Sequence, residues 1–323
     1  MDMIKNAARN VLQTPTWLTV LVGGALLFWQ QLTGELTPSV QVVVFAFFIL
    51  ATGIPHGAID HLVEKETAKR RQKGFDFSIF LAKYLLTMLF YGLAWFIIPS
   101  VSLLFFILIS AWHFGETDIE NAPPTAFWNA ARFTFGCFIL SWILLFHAAE
   151  VTPILERIGQ NNKTVTGVWT FLEPIKPALL IGLAVISSVF AYFGNRKNRI
   201  LFDKMRFLRL SIILILTYCL PLLPAFALYF GGWHALCSLS NIHDYLLRIN
   251  DKSNTKKCYS IFKTWSKTLL FTLLAIAFLG LAAWFWVHFY QTWDALPLLF
   301  IFLSLITLPH LNVMHGMSKA SAA

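Results

Sequence analysis

The stretch VVVFAFFILATGIPHGAIDH, Val42 to His61, decides the fold. Its first half carries no charge, and with the residues before it the stretch is long enough to cross a bilayer core of about 30 Å as a helix. Its second half adds His56, Asp60 and His61. Ionisable groups inside a membrane span are costly and usually mark a functional site. The stretch therefore predicts a membrane helix that carries part of such a site.

Composition extends this prediction to the whole chain. Of its 323 residues, 57% are hydrophobic and only 13% are charged, and the mean hydropathy is +0.66. Helices and closed barrels are the structures that satisfy their backbone groups within lipid, and the apolar runs here have helical length. We predict an all-α fold, a polytopic transmembrane helical bundle that forms a single integral membrane domain over residues 1–323.

Ten apolar runs are read as spans, and the proline-rich turns near Pro99 and Pro221 leave eight or nine spans as alternatives. A polar outer loop is expected between Glu150 and Lys176. The predicted spans are Trp17–Leu32, Ser39–His61, Phe77–Ile98, Val101–Phe114, Phe127–His147, Pro177–Phe193, Leu208–Leu220, Leu222–Leu246, Ile261–Tyr290 and Ala295–Met314.

The basic residues behind the net charge of +9 lie mostly in the loops between the predicted spans. Lysines and arginines cluster after the second, sixth and eighth spans, which a ten-span topology places on one side of the membrane. By the positive-inside rule this side is cytoplasmic. We therefore expect a multi-pass protein of the cell (inner) membrane, with both termini cytoplasmic, that contacts the lipid bilayer and binds no nucleic acid. The four cysteines show no disulfide or metal-type spacing.

Four histidines from four different predicted spans lie at a similar depth. At about 1.5 Å of helical rise per residue, His56, His113, His234 and His310 lie roughly 18 to 25 Å below the outer ends of their spans. One imidazole from each of several helices at one level suits a buried ion of iron, zinc or copper. The alternative for each single histidine is a hydrogen bond between helices. Asp60, one turn after His56, could accept a ring N–H from a ligand histidine or from a neighbour across the bundle.

Four segments occur in the order GIPHGAIDH, SAWHFGETD, YFGGWHALCSL and TLPHLNV. In combination they resemble the bacterial and archaeal β-carotene 15,15′-dioxygenase family (the Brp and Blh proteins of rhodopsin-bearing microbes), from Gly53 nearly to the C-terminus. The resemblance implies a membrane enzyme with non-haem Fe(II) that splits β-carotene with dioxygen into two all-trans retinal molecules, and a functional link to a microbial rhodopsin.

By position, His56, His113 and His234 match three iron ligands of that family, and Asp60 matches the aspartate of its first motif, where we assign it a catalytic role. The chain departs from the pattern at Ser238, where family members have a second histidine. A serine hydroxyl is a poor ligand for ferrous iron, so the fourth ligand is missing, is water or comes from elsewhere. We assign it to His310, with His243 as the second choice.

Two other functions are open to the same residues. Histidines at one depth also suit a membrane haem- or carotenoid-binding protein without cleavage activity. A transporter with a histidine proton relay ranks last, because the spans show no internal repeat and contain few acidic groups.

Overall fold

The computed structural model describes residues 16–120, 122–158, 163–200, 203–247, 257–290 and 295–322. Within these ranges the regular structure is helical. The elements are α1 (Thr16–Thr33), α2 (Pro38–Phe48), the π-helix π1 (Ile49–Gly53), α3 (Ile54–Ala58), α4 (Asp60–Arg70), α5 (Phe77–Ile97), α6 (Pro99–Asp118), α7 (Ala126–Phe146), α8 (Ala148–Ile158), α9 (Lys163–Leu172), α10 (Lys176–Asn198), α11 (Lys204–Cys219), α12 (Leu222–Ala227), π2 (Leu228–Ala235), α13 (Leu236–Leu247), α14 (Lys257–Ser266), α15 (Leu269–Tyr290) and α16 (Ala295–Ala322).

The prediction of a polytopic helical membrane protein is confirmed. In the described part of the chain, seven helices are long and apolar enough to cross a membrane. They are Pro38–Arg70, Phe77–Ile97, Pro99–Asp118, Ala126–Phe146, Lys176–Asn198, Leu222–Leu246 and Leu298–Ser321.

The count differs from the eight to ten predicted spans because three helices at predicted positions are shorter or less apolar. α11 has only 16 residues, fewer than the roughly 17 that a span needs at least, and α1, with 18 residues, is at the short end of that range. The apolar part of α15 is the short Leu269–Phe285. The predicted span Ile261–Tyr290 is interrupted, since α14 ends at Ser266 and α15 begins at Leu269. The expected loop Glu150–Lys176 is largely helical, in α8 and α9.

The chain forms two compact units, and the prediction of a single membrane domain stays a prediction. The first unit takes its described residues from Met1–Ile59 and Leu201–Thr272, and the second from Asp60–Ile200 and Leu273–Ala323.

In the first unit, α1 packs on α11, α2 packs on α12, and π1 contacts π2. The wide turns of a π-helix leave backbone carbonyls that must find donors away from water, and side chains of neighbouring helices supply them. The Thr19 hydroxyl donates to the Gly232 carbonyl at 2.6 Å, and the Thr52 hydroxyl donates to that of Gly231 at 2.9 Å. Trp265 Nε1 donates to the Ala51 carbonyl at 2.7 Å. These bonds fix the two π-helices against their surroundings.

In the second unit, α7 packs against both α6 and α10, and α16 packs against α4, α5 and α6. The α6–α7 contact is close because it passes over two glycines. A Cβ atom at Gly115 would overlap the carbonyl of Arg132, and one at Gly136 would overlap the carbonyl of Ala111. Trp95 Nε1 donates to Ser304 Oγ at 2.8 Å and joins α5 to α16. This packing places His113 of α6 and His310 of α16 within one unit.

Candidate functional site

Two of the four predicted metal ligands meet in the first unit. His56 lies in α3 and His234 in π2, and both are buried, with His234 fully enclosed. Their ring centroids are 5.5 Å apart, and the ring planes are nearly perpendicular, at 89°. His234 lies within π2, and its ring meets that of His56 edge-on.

The hydrogen bond of His56 determines which of its nitrogens can bind a metal. Its Nδ1 lies against the carbonyl oxygen of Gly53, one turn earlier. A carbonyl can only accept, so Nδ1 carries the proton and donates it. The lone pair of the neutral ring is then on Nε2, the atom that would coordinate a metal ion.

A row of stacked aromatic rings ends at His234. Phe226 and Phe230 are stacked at 5.3 Å with 19° between their planes, and Phe230 is stacked on the His234 ring at 5.9 Å and 13°. Phe230 also contacts His56 edge-on at 5.8 Å. Because the three rings recur every four residues, they share one face of the helix. The histidine pair therefore lies at the end of an apolar, aromatic face.

The other two predicted ligands meet in the second unit. The ring centroids of His113 and His310 are 4.9 Å apart at an angle of 87°, and a ring nitrogen of one lies within 4.8 Å of a ring nitrogen of the other. Both side chains are buried.

Asp60 orients the ring of His310. The Nδ1 atom of His310 lies 2.7 Å from Asp60 Oδ1, and both side chains are almost fully buried, at 4% and 3% exposure. The Tyr84 hydroxyl donates to the other carboxylate oxygen, Oδ2, at 3.2 Å. A carboxylate on Nδ1 leaves Nε2 as the coordinating atom and makes it more basic, as in many histidine metal sites. Asp60 therefore acts on His310, the partner across the bundle, which was one of its two predicted roles.

The geometry of each pair suits metal binding. Two imidazoles that share one ion at about 2 Å per metal–nitrogen bond have their ring centroids about 5 Å apart, close to the separations of both pairs. Neutral imidazole nitrogens in a buried setting are suitable donors for iron, zinc or copper. The residues present fit the iron of the expected cofactor, while the four-histidine ligand set itself stays a prediction.

The other histidines have different surroundings. His243, the second choice for the fourth ligand, is buried with its Nδ1 2.7 Å from Thr264 Oγ1, and Ser238 is fully buried. Contacts of four further histidines include the bond from His147 Nδ1 to the Ile143 carbonyl at 2.6 Å, His288 stacked on Trp284, His61 edge-on to Phe77, and His315 3.9 Å from Glu116.

Sequence reasoning missed the two π-helices and the role of Tyr84. The Gly231–Gly232 pair before His234 was a usable signal, because adjacent glycines in a membrane helix allow close backbone approach. Nothing in the spacing of Tyr84 pointed to Asp60, since the two belong to different helices.

The sequence profile described as beta-carotene 15,15′-dioxygenase matches residues 47–318. The chain belongs to this family. The β-carotene 15,15′-dioxygenase family match covers the four histidines predicted as metal ligands and Asp60. It confirms the expected class of enzyme. A curated relative, the beta-carotene 15,15′-dioxygenase of uncultured marine bacterium 66A03, is 24% identical over 204 residues, which are 63% of this chain and 70% of the relative. No solved structure matches the chain significantly.

Proposed function

We propose that this family member is a non-haem iron dioxygenase that cleaves β-carotene at its central 15,15′ double bond and releases two molecules of all-trans retinal. One double bond breaks and two carbonyl groups form, so both atoms of one dioxygen molecule are consumed. The equation balances without an external reductant.

The observation that carries the proposal is the buried His113–His310 pair with Asp60 on His310. A carboxylate that fixes the tautomer of a buried imidazole is a common companion of a metal ligand. The family match and the His56–His234 pair add to this support. We therefore keep His56, His113, His234 and His310 as the proposed iron ligands and Asp60 as the group that positions His310.

When bound, ferrous iron would supply the activation of dioxygen. The chain supplies orientation and a dry environment. The rings of Phe226 and Phe230 offer a flat apolar surface on which a polyene can lie. Asp60 and the Gly53 carbonyl hold imidazole Nδ1 protons, so that Nε2 remains the donor atom of both rings. No described residue needs to act as a nucleophile in this reaction.

The activity is tested by expressing the chain in cells that produce β-carotene. We expect the carotene to fall and retinal to accumulate, with two retinal molecules formed per carotene lost. Folded, iron-containing protein that leaves β-carotene unchanged would contradict the proposal. A Soret absorption band in the purified protein would favour the haem-binding alternative.

The ligand set is tested by iron content. Replacing His56, His113, His234 or His310 singly with alanine should lower the iron bound per protein strongly, because each variant loses one donor. Ser238→Ala is the matched control: it lies one turn after His234, is equally buried, and should keep wild-type iron. If His310→Ala binds as much iron as wild type, the fourth ligand is instead His243 or water.

A further inference from the structure

A second tier of ionisable side chains lies about one helical turn from the buried His113–His310 pair, within the second unit. The helices that carry His113, His310 and Asp60 each have a further carboxylate or imidazole toward their C-terminal end. These side chains are Glu116 in α6, His315 in α16 and Glu64 in α4. At about 1.5 Å of rise per residue, the two tiers are separated by roughly 4.5 to 7.5 Å along the helices. In α6 and α4 the spacings of three and four residues keep both tiers on one helix face.

Contacts between helices bring the second tier together. The Nδ1 atom of His315 lies 3.9 Å from Glu116 Oε1, so an imidazole of α16 approaches a carboxylate of α6. A Cβ atom at Gly316 would be 3.9 Å from Glu64 Oε2, which places the carboxylate of α4 beside the same segment of α16. Two carboxylates and one imidazole from three helices therefore lie around His315 and Gly316.

Exposure increases from the first tier to the second. His113 and His310 are buried, whereas the side chains of Glu116 and His315 are 16% and 47% exposed. The predicted topology directs this end of α6 and α16 toward the cytoplasm. An ion that arrived from that side would meet His315 and Glu116 before it met the buried pair.

The second tier has the chemistry that a moving ferrous ion requires. An ion that enters an apolar layer loses its hydration, which is costly unless other groups replace it. Carboxylate oxygens and imidazole nitrogens are suitable donors for ferrous iron. Side chains of this kind between the surface and the buried histidines would replace part of the hydration on the way.

Basic residues near the second tier limit how strongly it can hold a cation. Lys319 lies one turn after His315, and the Arg71 guanidinium donates to the backbone carbonyl next to His315 at 3.0 Å. Arg132 interacts electrostatically with Glu116. Weak binding suits a site that must pass its ion on, because an ion that is held tightly does not leave.

We propose that the second tier, Glu64, Glu116 and His315, is a transient binding site through which ferrous iron passes from the cytoplasmic side to the buried histidines. This route rests on the proposed function and adds a way of loading its metal. A site along the route lowers the barrier between solution and the buried position, so it changes how fast iron binds and leaves. It does not change the dissociation constant, because the free and bound end states stay the same.

The test measures how fast ferrous iron loads the metal-free protein without oxygen. Iron is removed from the purified protein with a chelator, ferrous iron is added, and protein-bound iron is counted at successive times. Glu64→Gln, Glu116→Gln and His315→Gln should each slow loading at least about fivefold, because each removes a charge or a donor from the route. Release into excess chelator should slow by the same factor, which leaves the dissociation constant at the wild-type value.

The controls separate the route from general effects of charge and folding. Glu66→Gln removes a carboxylate of α4 that lies about 200° around the helix from Glu64 and pairs with Arg70. His288→Gln removes an exposed histidine from α15. Both controls should load iron at the wild-type rate. Glu116→Asp keeps the negative charge and should retain most of that rate.

The outcomes separate the two proposals. Loading at the wild-type rate in both Glu116→Gln and His315→Gln would overturn the route and leave the proposed function intact. A raised dissociation constant or a lower final iron content in these variants would make the residues part of the buried site, which also overturns the route. Wild-type protein that binds iron but does not cleave β-carotene with oxygen would overturn the proposed function, and the loading rates would still decide on the route. Wild-type protein that binds no ferrous iron would overturn both.

Discussion

Asp60 joins two residues that are far apart in the chain. It accepts from His310, 250 residues later, and from Tyr84 of α5. A buried carboxylate with a donor on each oxygen has its hydrogen bonds satisfied, which lowers the cost of its burial. The imidazole in turn has one fixed orientation, so its coordinating nitrogen always points the same way.

We predict that Asp60→Asn lowers the affinity for ferrous iron about 10- to 100-fold, the usual cost of losing such a partner of a metal-ligating histidine. The amide keeps the size of the carboxylate and can still accept from Nδ1, so the fold should be retained. What changes is the negative charge that makes Nε2 a stronger donor. Anaerobic titration of the purified protein with ferrous iron measures the effect.

Tyr84→Phe is the control for this prediction. It removes the second hydrogen bond to Asp60 but leaves the carboxylate on His310, so its effect on iron affinity should be much smaller. Wild-type affinity in Asp60→Asn, or an equal loss in both variants, would contradict the positioning role.

The sequence predicted part of this arrangement. Helical spacing made Asp60 a candidate acceptor for a ring N–H, and the depth of His310 made it the preferred fourth ligand. Which histidine meets Asp60 depends on how α16 packs on α4, and a pattern within one helix does not contain that information.

Among the elements, the π-helices were the least predictable. Hydropathy locates a membrane helix but is nearly unchanged by the difference between α and π turns. Here the choice depends on donors from other helices, such as the Thr52 hydroxyl on the Gly231 carbonyl. The helices α8 and α9 were missed because their polar residues were read as a loop. The end of α14 was missed because the polar residues there lie within a long apolar run.

The glycines between α6 and α7 give a prediction about stability. Gly115→Ala should destabilise the protein by about 1–3 kcal/mol or more, as expected for overfilling a closely packed contact. The added methyl group would overlap the carbonyl of Arg132, and backbone on both sides leaves no flexible side chain to move away. The temperature at which half the protein aggregates in detergent should fall by several degrees.

Gly182→Ala is the matched control. Gly182 lies in α10, and a Cβ atom there would meet nothing within 4 Å. Alanine favours helix over glycine by about 1 kcal/mol, so this variant should be as stable as wild type or slightly more stable. A similar loss in both variants would show that the close contact is not the cause.

For the whole molecule, composition was the most informative property of the sequence. Large apolar side chains remain exposed along α5, for example Phe96 at 78% and Ile97 at 76%, as expected for a surface that faces lipid rather than water. The sidedness of the protein in the membrane is a separate matter, and it stays a prediction based on the distribution of basic residues.

We predict that Lys73 faces the cytoplasm and Glu173 the outside. Both are exposed in the structure, so cysteines at these positions should react with a maleimide that reaches them. In a background without native cysteines, a membrane-impermeant maleimide should label Glu173→Cys in intact cells and Lys73→Cys only after lysis. The reverse pattern would invert the topology.

The glycine contacts of α6 also bear on how a long, stiff substrate gains entry. The close backbone contacts at Gly115 and Gly136 should hinder α6 and α7 from sliding along each other. We therefore expect an opening that admits a carotene to come from helices joined by larger, rotatable side chains, with His113 held in place.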